Sequence, residues 1–104
     1  MNGELELFNT YTDEVCKRFG VTKKELIEKN QNHEVVDARY MLYLLCSRSG
    51  MRISYIERSM KGIGHGITHS TIIRGIDKAK RIMMEDEGYT KIINNIEKDA
   101  VRFR

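Results

Sequence analysis

Apolar residues recur at intervals of three and four along most of this chain, and no segment alternates apolar and polar residues as a half-buried strand does. This periodicity predicts an all-α fold of about six helices. The predicted inner face of the first, amphipathic helix consists of residues at these spacings, namely Leu5, Phe8, Thr12, Val15 and Phe19. We expect that helix to end at Gly20, because glycine is the residue most typical of a helix C-terminal cap.

Two more helices follow in the pattern. Thr22 and Glu25 have the spacing of a capping box and predict a short second helix. Residues 30–33 are polar and predict a connector. From about Val36 to Gly50 apolar residues cover so much of the third helix that we expect it to be the buried central one.

The second half of the chain has the pattern of a helix-turn-helix. Ser54 and Glu57 predict a capped helix that runs to about Met60 and is followed by a glycine-rich turn over residues 61–67. Thr68 can cap the next helix. The predicted core face of that helix consists of Ile72, Ile76, Ala79 and Met83, and the opposite face of Arg74, Lys78 and Arg81.

A last helix is predicted after Gly88, with Thr90 as its N-terminal cap. The residues that we expect to turn inward from it are Ile93, Ile96 and Ala100.

The positive charge is concentrated in the middle of the chain. Residues 39–82 carry nine basic and two acidic side chains, a net charge of +7, whereas the net charge is −3 over residues 1–38 and −1 over residues 83–104. A basic segment that coincides with a helix-turn-helix pattern is typical of nucleic-acid binding. Short polar side chains at the start of a helix can reach base edges, and the positive end of the helix dipole attracts a phosphate.

Composition and length favour one domain over residues 1–104, with a modest core and little room for a deep catalytic pocket. No apolar run is long enough to cross a bilayer and the N-terminus lacks a secretion signal, so we expect a cytoplasmic protein. Cys16 and Cys46 lie in apolar helical patterns and are interpreted as reduced core residues, and catalysis by Cys46 is disfavoured for the same reason. We expect no enzyme activity.

Metal and nucleotide sites are not expected either. His65 and His69 are four residues apart, but Gly66 interrupts helical geometry between them and no Cys-x-x-Cys accompanies them. The glycine-rich turn is not followed by Lys-Ser/Thr, as a phosphate-binding loop would be. The sequence therefore predicts no cofactor, no metal and no small-molecule substrate.

Four segments, in this order, resemble the C-terminal DNA-binding domain (domain IV) of the bacterial replication initiator DnaA. They are residues 15–26 (VCKRFGVTKKEL), 38–44 (ARYMLYL), 53–56 (ISYI) and 69–72 (HSTI), and the resemblance covers about residues 8–98. It implies a Trp repressor-like helical bundle that binds double-stranded DNA. The initiator's ATPase motif is missing from these 104 residues, which favours a stand-alone DNA-binding protein.

Carried over residue by residue, the resemblance implies two kinds of DNA contact. Base edges are contacted by His69 and Ser70 in the major groove and by Arg39 in the minor groove. Phosphates are contacted by Thr68, Thr71, Lys61, Arg74 and Lys78. Base contacts specify a sequence, whereas phosphate contacts set position and salt-dependent affinity.

The chain departs from the family in three places. Thr68 replaces an acidic residue, and a threonine cannot accept a hydrogen bond from cytosine as a carboxylate does. The turn before it is about four residues longer and lacks an arginine. Gln31, Asn32 and His33 replace a basic cluster, which predicts fewer phosphate contacts. We therefore expect a retained reading helix with an altered target sequence.

The function predicted from the sequence is specific double-stranded DNA binding in replication or transcription control, close to the nucleoid, as in a phage or other mobile element. The alternative is an adaptor that recruits replication or transcription proteins through the first helix or the acidic tail and binds nucleic acid without specificity. RNA binding is a third possibility, disfavoured by the shortage of exposed aromatic residues.

Overall fold

The structure is a computed structural model that describes residues 3–28 and 32–101. Within these two ranges the chain forms six α-helices and no strand, which confirms the predicted all-α fold. The helices are α1 Gly3–Phe19, α2 Lys23–Ile27, α3 His33–Arg48, α4 Ile53–Gly62, α5 His69–Glu85 and α6 Glu87–Val101. Residues 30 and 31 of the predicted connector lie outside the described residues.

Helix α3 is the centre of the bundle, as predicted. It packs most extensively against α5 and α1 and also contacts α2, α4 and α6. Every residue from Met41 to Cys46 is buried. The helix begins at His33 and not at Val36, because the side chain of Asn32 accepts a hydrogen bond from the backbone N–H of Glu34 and caps it three residues earlier.

Helix α1 ends as the sequence predicts. Gly20 has φ of +66°, and the N–H of Val21 donates to the carbonyl of Cys16 at 3.0 Å, which closes the helix. The expected position of Leu5 on the buried face was wrong, since its side chain is 44% exposed. Leu7 and Tyr11 are buried instead, so the buried stripe lies to one side of Leu5.

The capping box of α2 is present with both of its hydrogen bonds. The hydroxyl of Thr22 accepts from the N–H of Glu25 at 3.0 Å, and the carboxylate of Glu25 accepts from the N–H of Thr22 at 2.9 Å. A helix of five residues depends on such satisfied ends, because it has few internal hydrogen bonds of its own.

The predicted cap of α4 was wrong. Arg52 occupies the N-cap position without a side-chain hydrogen bond, and Ser54 already lies inside the helix. The carbonyl of Arg52 accepts from the N–H groups of Tyr55 and Ile56. Met51 and Ile56 are both buried, so core packing on either side of Arg52 sets the start of the helix. At the other end α4 continues to Gly62, two residues beyond Met60.

The predicted cap of α6 was also wrong. The carboxylate of Asp86 accepts from the N–H groups of Gly88 and Tyr89 at 2.9 and 3.2 Å, so α6 begins before Thr90. Thr90 instead donates its hydroxyl proton to the carbonyl of Met83 at 2.8 Å. The early start places Tyr89 within the helix, where it is buried edge-on against Phe19 at 6.0 Å between ring centroids.

The inward residues of α6 are confirmed, since Ile93, Ile96 and Ala100 are all buried. Cys46 is buried and Cys16 is half-buried, and both are free thiols. Burial raises the pKa of Cys46 well above that of an ordinary thiol. The protonated thiol is a poor nucleophile, in line with its interpretation as a core residue.

None of the helices in the described part of the chain is both long and apolar enough to cross a membrane.

Candidate nucleic-acid interface

Helices α4 and α5 form a helix-turn-helix unit with residues 63–68 between them. Gly64 has φ of +104°, and the N–H of His65 donates to the carbonyl of Met60 at 2.9 Å, so the chain turns sharply at the end of α4. On each helix an apolar face enters the core, through Ile56 and Met60 on α4 and through Ile72, Ile76 and Ala79 on α5. Of the predicted core residues of α5, only Met83 is half-buried rather than buried.

The connection between α4 and α5 is hydrogen-bonded to the end of α2. His65 is 8% exposed, and its Nδ1 lies 2.6 Å from the carbonyl oxygen of Ile27. Because a carbonyl can only accept, the ring nitrogen is the donor. This hydrogen bond joins residues 38 positions apart in the sequence.

Arg39 holds the carbonyls on either side of Ile27. Its Nε donates to the carbonyl of Leu26 at 2.6 Å, and its Nη2 donates to the carbonyl of Glu28. Three successive carbonyls at the end of α2 are thus bound by side chains from α3 and from the α4–α5 connection. The last carbonyls of a helix have no intrahelical partner, which explains the requirement for such donors.

Arg39 is therefore turned inward in this structure. Its side chain is 7% exposed, and burial lowers the pKa of its guanidinium from the ordinary value. A contact with the minor groove requires the guanidinium to exchange its carbonyl partners for DNA. That role stays a prediction from the resemblance.

The start of α5 is capped by Thr68, as predicted. The Thr68 hydroxyl accepts from the N–H of Thr71 at 3.2 Å, and the two hydroxyl oxygens are 2.9 Å apart. The remaining N–H groups of a first helical turn have no intrahelical partner, so this end of α5 can receive an anion.

The predicted DNA-contacting residues of the helix-turn-helix lie at its surface. Those with exposed side chains are Thr68, His69, Ser70, Arg74, Lys78 and Lys61, and Thr71 is half-buried. All but Lys61 belong to α5 or to its cap, and Lys61 lies in the last turn of α4. Lys80 and Arg81 add two further exposed cations to α5.

Gly75 allows α5 to lie very close to α3. A β-carbon at this position would come within 2.6 Å of Cδ1 of Tyr40 and 2.9 Å of Cδ2 of Tyr43. Both distances are shorter than any ordinary carbon contact, so a larger residue there would require α5 or the two tyrosine rings to move. The sequence holds a signal for this approach, since Gly75 falls between Ile72 and Ile76 on an apolar helix face.

Asp37 lies beside α5 in the cleft between α3 and α5. Its carboxylate is 3.1 Å from Nδ1 of His33, and its backbone carbonyl accepts from the hydroxyl of Tyr89 at 3.3 Å. Burial raises the pKa of the Asp37 carboxyl, and the nearby His33 and Lys78 partly oppose that effect.

Over residues 3–28 and 32–101, no three histidine, cysteine or acidic side chains are grouped so that they could hold a metal ion. His65 is instead committed to the Ile27 carbonyl.

The geometry defines an all-helical protein in which α5 carries several exposed basic side chains. Comparison with known proteins finds similarity to the chromosomal replication initiator protein DnaA of Leptospira biflexa serovar Patoc, in strains Patoc 1 / Ames and Patoc 1 / ATCC 23582 / Paris. Each is 29% identical to this chain over 84 residues, which are 81% of the chain and 18% of the relative. The chain thus spans less than a fifth of the length of these relatives.

This similarity confirms the resemblance to DnaA that the sequence motifs indicate. The assignment to the C-terminal domain stays a prediction. No protein-family model matches the chain.

Proposed function

We propose that this protein binds double-stranded DNA in a sequence-specific manner by placing the first turns of α5 in the major groove. The observation that carries the proposal is the start of α5, which is capped by Thr68 and exposes His69 and Ser70 at its tip. Short polar side chains in this position can form hydrogen bonds with base edges.

The exposed cations would place the helix on the duplex. Lys61, Arg74 and Lys78 would contact phosphates on the strands that border the groove, and Thr68 and Thr71 would contribute hydroxyl or amide contacts at the helix start. The packing of α5 on α3 through Gly75 supports these separate roles for the helix start and for the cations, because it holds the helix in one orientation.

The similarity to a chromosomal replication initiator favours a role at a replication origin or in the control of a nearby promoter. Binding, marking or occluding DNA requires neither ATP hydrolysis nor any other catalysis by this chain. A cytoplasmic location in contact with the nucleoid follows from the same proposal.

The proposed phosphate contacts can be tested by fluorescence anisotropy. A labelled duplex of random sequence is titrated with the protein at two salt concentrations. We expect tight binding at low salt and a steep loss at high salt, since each neutralised phosphate releases counterions. Lys78→Gln should reduce the slope of log affinity against log salt by about 1. Lys91→Gln, an exposed lysine of α6, is the matched control and should leave it unchanged.

Selection from a random duplex pool tests whether the protein prefers particular DNA sequences. Absence of duplex binding at low salt would contradict the proposal as a whole. Salt-dependent binding without any enriched sequence would support the adaptor alternative, in which nucleic acid is bound only through charge.

A further inference from the structure

The cleft between α3 and α5 contains acidic as well as basic side chains. Its volume is about 520 Å³, and Val36 and Ile82 provide apolar parts of its walls. Lys78 is one of the proposed phosphate contacts, so a carboxylate of α3 lies beside the surface that would meet the DNA backbone. The charged and titratable residues that line the cleft are His33, Asp37 and Tyr40 on α3 and Lys78, Arg81 and Glu85 on α5.

The carboxylate of Asp37 is largely shielded from solvent in this cleft. Its side chain is 18% exposed, whereas the side chain of His33, with Nδ1 at 3.1 Å from the carboxylate, is 87% exposed. The backbone of Asp37 is also held, because its carbonyl accepts a hydrogen bond from the hydroxyl of Tyr89 on α6. The packing of the central helix therefore keeps the carboxylate beside α5.

Asp37 and Lys78 act on each other electrostatically. Burial raises the pKa of the Asp37 carboxyl, and the positive charges of protonated His33 and of Lys78 act in the opposite direction. The attraction between two charges is mutual, so the ionised carboxylate also attracts the ammonium group of Lys78. Because the carboxylate is mostly shielded from solvent, this attraction is screened less than one between two exposed side chains.

The ammonium group of Lys78 can turn towards either of two anions. The side chain is exposed and carries a compact charge on a flexible aliphatic chain, which can point to Asp37 or away from the cleft to a phosphate. We propose that Asp37 limits the affinity for DNA by drawing the ammonium group of Lys78 towards the cleft, in competition with a phosphate of the duplex. The inference rests on the proposed function, in which Lys78 contacts the DNA backbone. Asp37 is thus a positioning residue that acts on DNA binding through Lys78.

The affinity for a labelled duplex of random sequence, measured at low salt and neutral pH, tests this inference. Asp37→Asn keeps the size of the side chain and removes its charge. It should tighten binding by about twofold to fivefold, the range of a partly exposed ion pair. In a Lys78→Gln background, the same replacement should leave the affinity unchanged. This comparison isolates the effect through Lys78, since a change in stability or in overall charge would act equally in both backgrounds.

Asp13→Asn is the matched control, because it removes a carboxylate from an exposed position on α1 and should leave the affinity as in the wild type. Equal affinities of the wild type and Asp37→Asn would overturn the inference and leave the proposed function intact. An equal gain from Asp37→Asn in both backgrounds would also overturn it, because the carboxylate would then act directly on DNA or through His33. Absence of duplex binding by the wild-type protein would remove both the inference and the proposed function.

Discussion

The imidazole of His65 and the carbonyl of Ile27 are joined by a hydrogen bond of 2.6 Å between the glycine-rich connection and the end of α2. Arg39 binds the two adjacent carbonyls, so one structural unit joins α2, α3 and the residues that lead into α5. The direction in which α5 leaves this connection therefore depends on residues well outside the helix-turn-helix.

Replacement of His65 by alanine should destabilise the fold. The Ile27 carbonyl would lose its donor at a partly buried position, and an unsatisfied buried acceptor costs about 1 to 3 kcal/mol. Urea denaturation measures this loss in the free energy of unfolding. His69→Ala is the matched control. Because His69 is exposed, its replacement should leave the free energy of unfolding within about 0.5 kcal/mol of the wild-type value. Equal stability of the two variants would contradict the structural role of His65.

Replacement of Gly75 by alanine should displace α5 or the rings of Tyr40 and Tyr43 and lower the stability of the fold. The added methyl group would overlap the rings of Tyr40 and Tyr43, and overpacking of this kind costs about 1 to 3 kcal/mol. Gly66→Ala is a matched control, since a β-carbon added there would have no atom within 4 Å and stability should be retained. Thermal unfolding of both variants checks the contrast. Alanine also gains about 1 kcal/mol of helix propensity over glycine within α5, so a Tm raised by that full amount would exclude the close packing.

Thr68 should be replaceable by another capping residue but not by alanine. Thr68→Ala removes the acceptor for the N–H of Thr71 and should cost about 1 kcal/mol. Thr68→Asp keeps an acceptor and adds a negative charge at the helix N-terminus, so stability should be equal to or above wild type. If both variants lost stability equally in urea denaturation, the cap would not be the source of the effect.

Ionisation of the Asp37 carboxyl should lower the free energy of unfolding as pH rises from acidic values. Burial raises its pKa in the folded state above the ordinary value of 3.8, so folding favours the protonated form. This contribution is fully present below the unfolded pKa and is lost as pH rises through the folded pKa. The difference in free energy of unfolding between wild type and Asp37→Asn should therefore decline over that window. A difference that is constant with pH would contradict a raised pKa of Asp37 in the folded state.

Local features of the chain were predictable from sequence, because their partners lie within a few residues. The Gly20 helix end, the Thr22–Glu25 capping box and the Thr68 cap are of this kind. The predicted cap at Thr90 was wrong, because Asp86 caps α6 instead and Tyr89, which lies within the helix, is buried in the core. A local pattern does not contain that information.

The contacts that position α5 could not be predicted in the same way. Arg39 and His65 reach carbonyls 13 and 38 residues away, and no spacing rule relates such partners. A charged residue within the apolar segment of α3 is the one available sign that Arg39 is buried. The exposure of Ile73 was likewise not predicted, because it depends on how α5 rotates against α3.

The most direct test of the account is the ratio of affinities for the enriched duplex and a scrambled duplex at fixed salt. We predict that His69→Ala combined with Ser70→Ala lowers this ratio at least tenfold, since each base-reading residue contributes about 1 to 3 kcal/mol. The salt dependence and the far-ultraviolet circular dichroism should stay as in the wild type. An unchanged ratio in a folded double variant would contradict DNA reading by the start of α5.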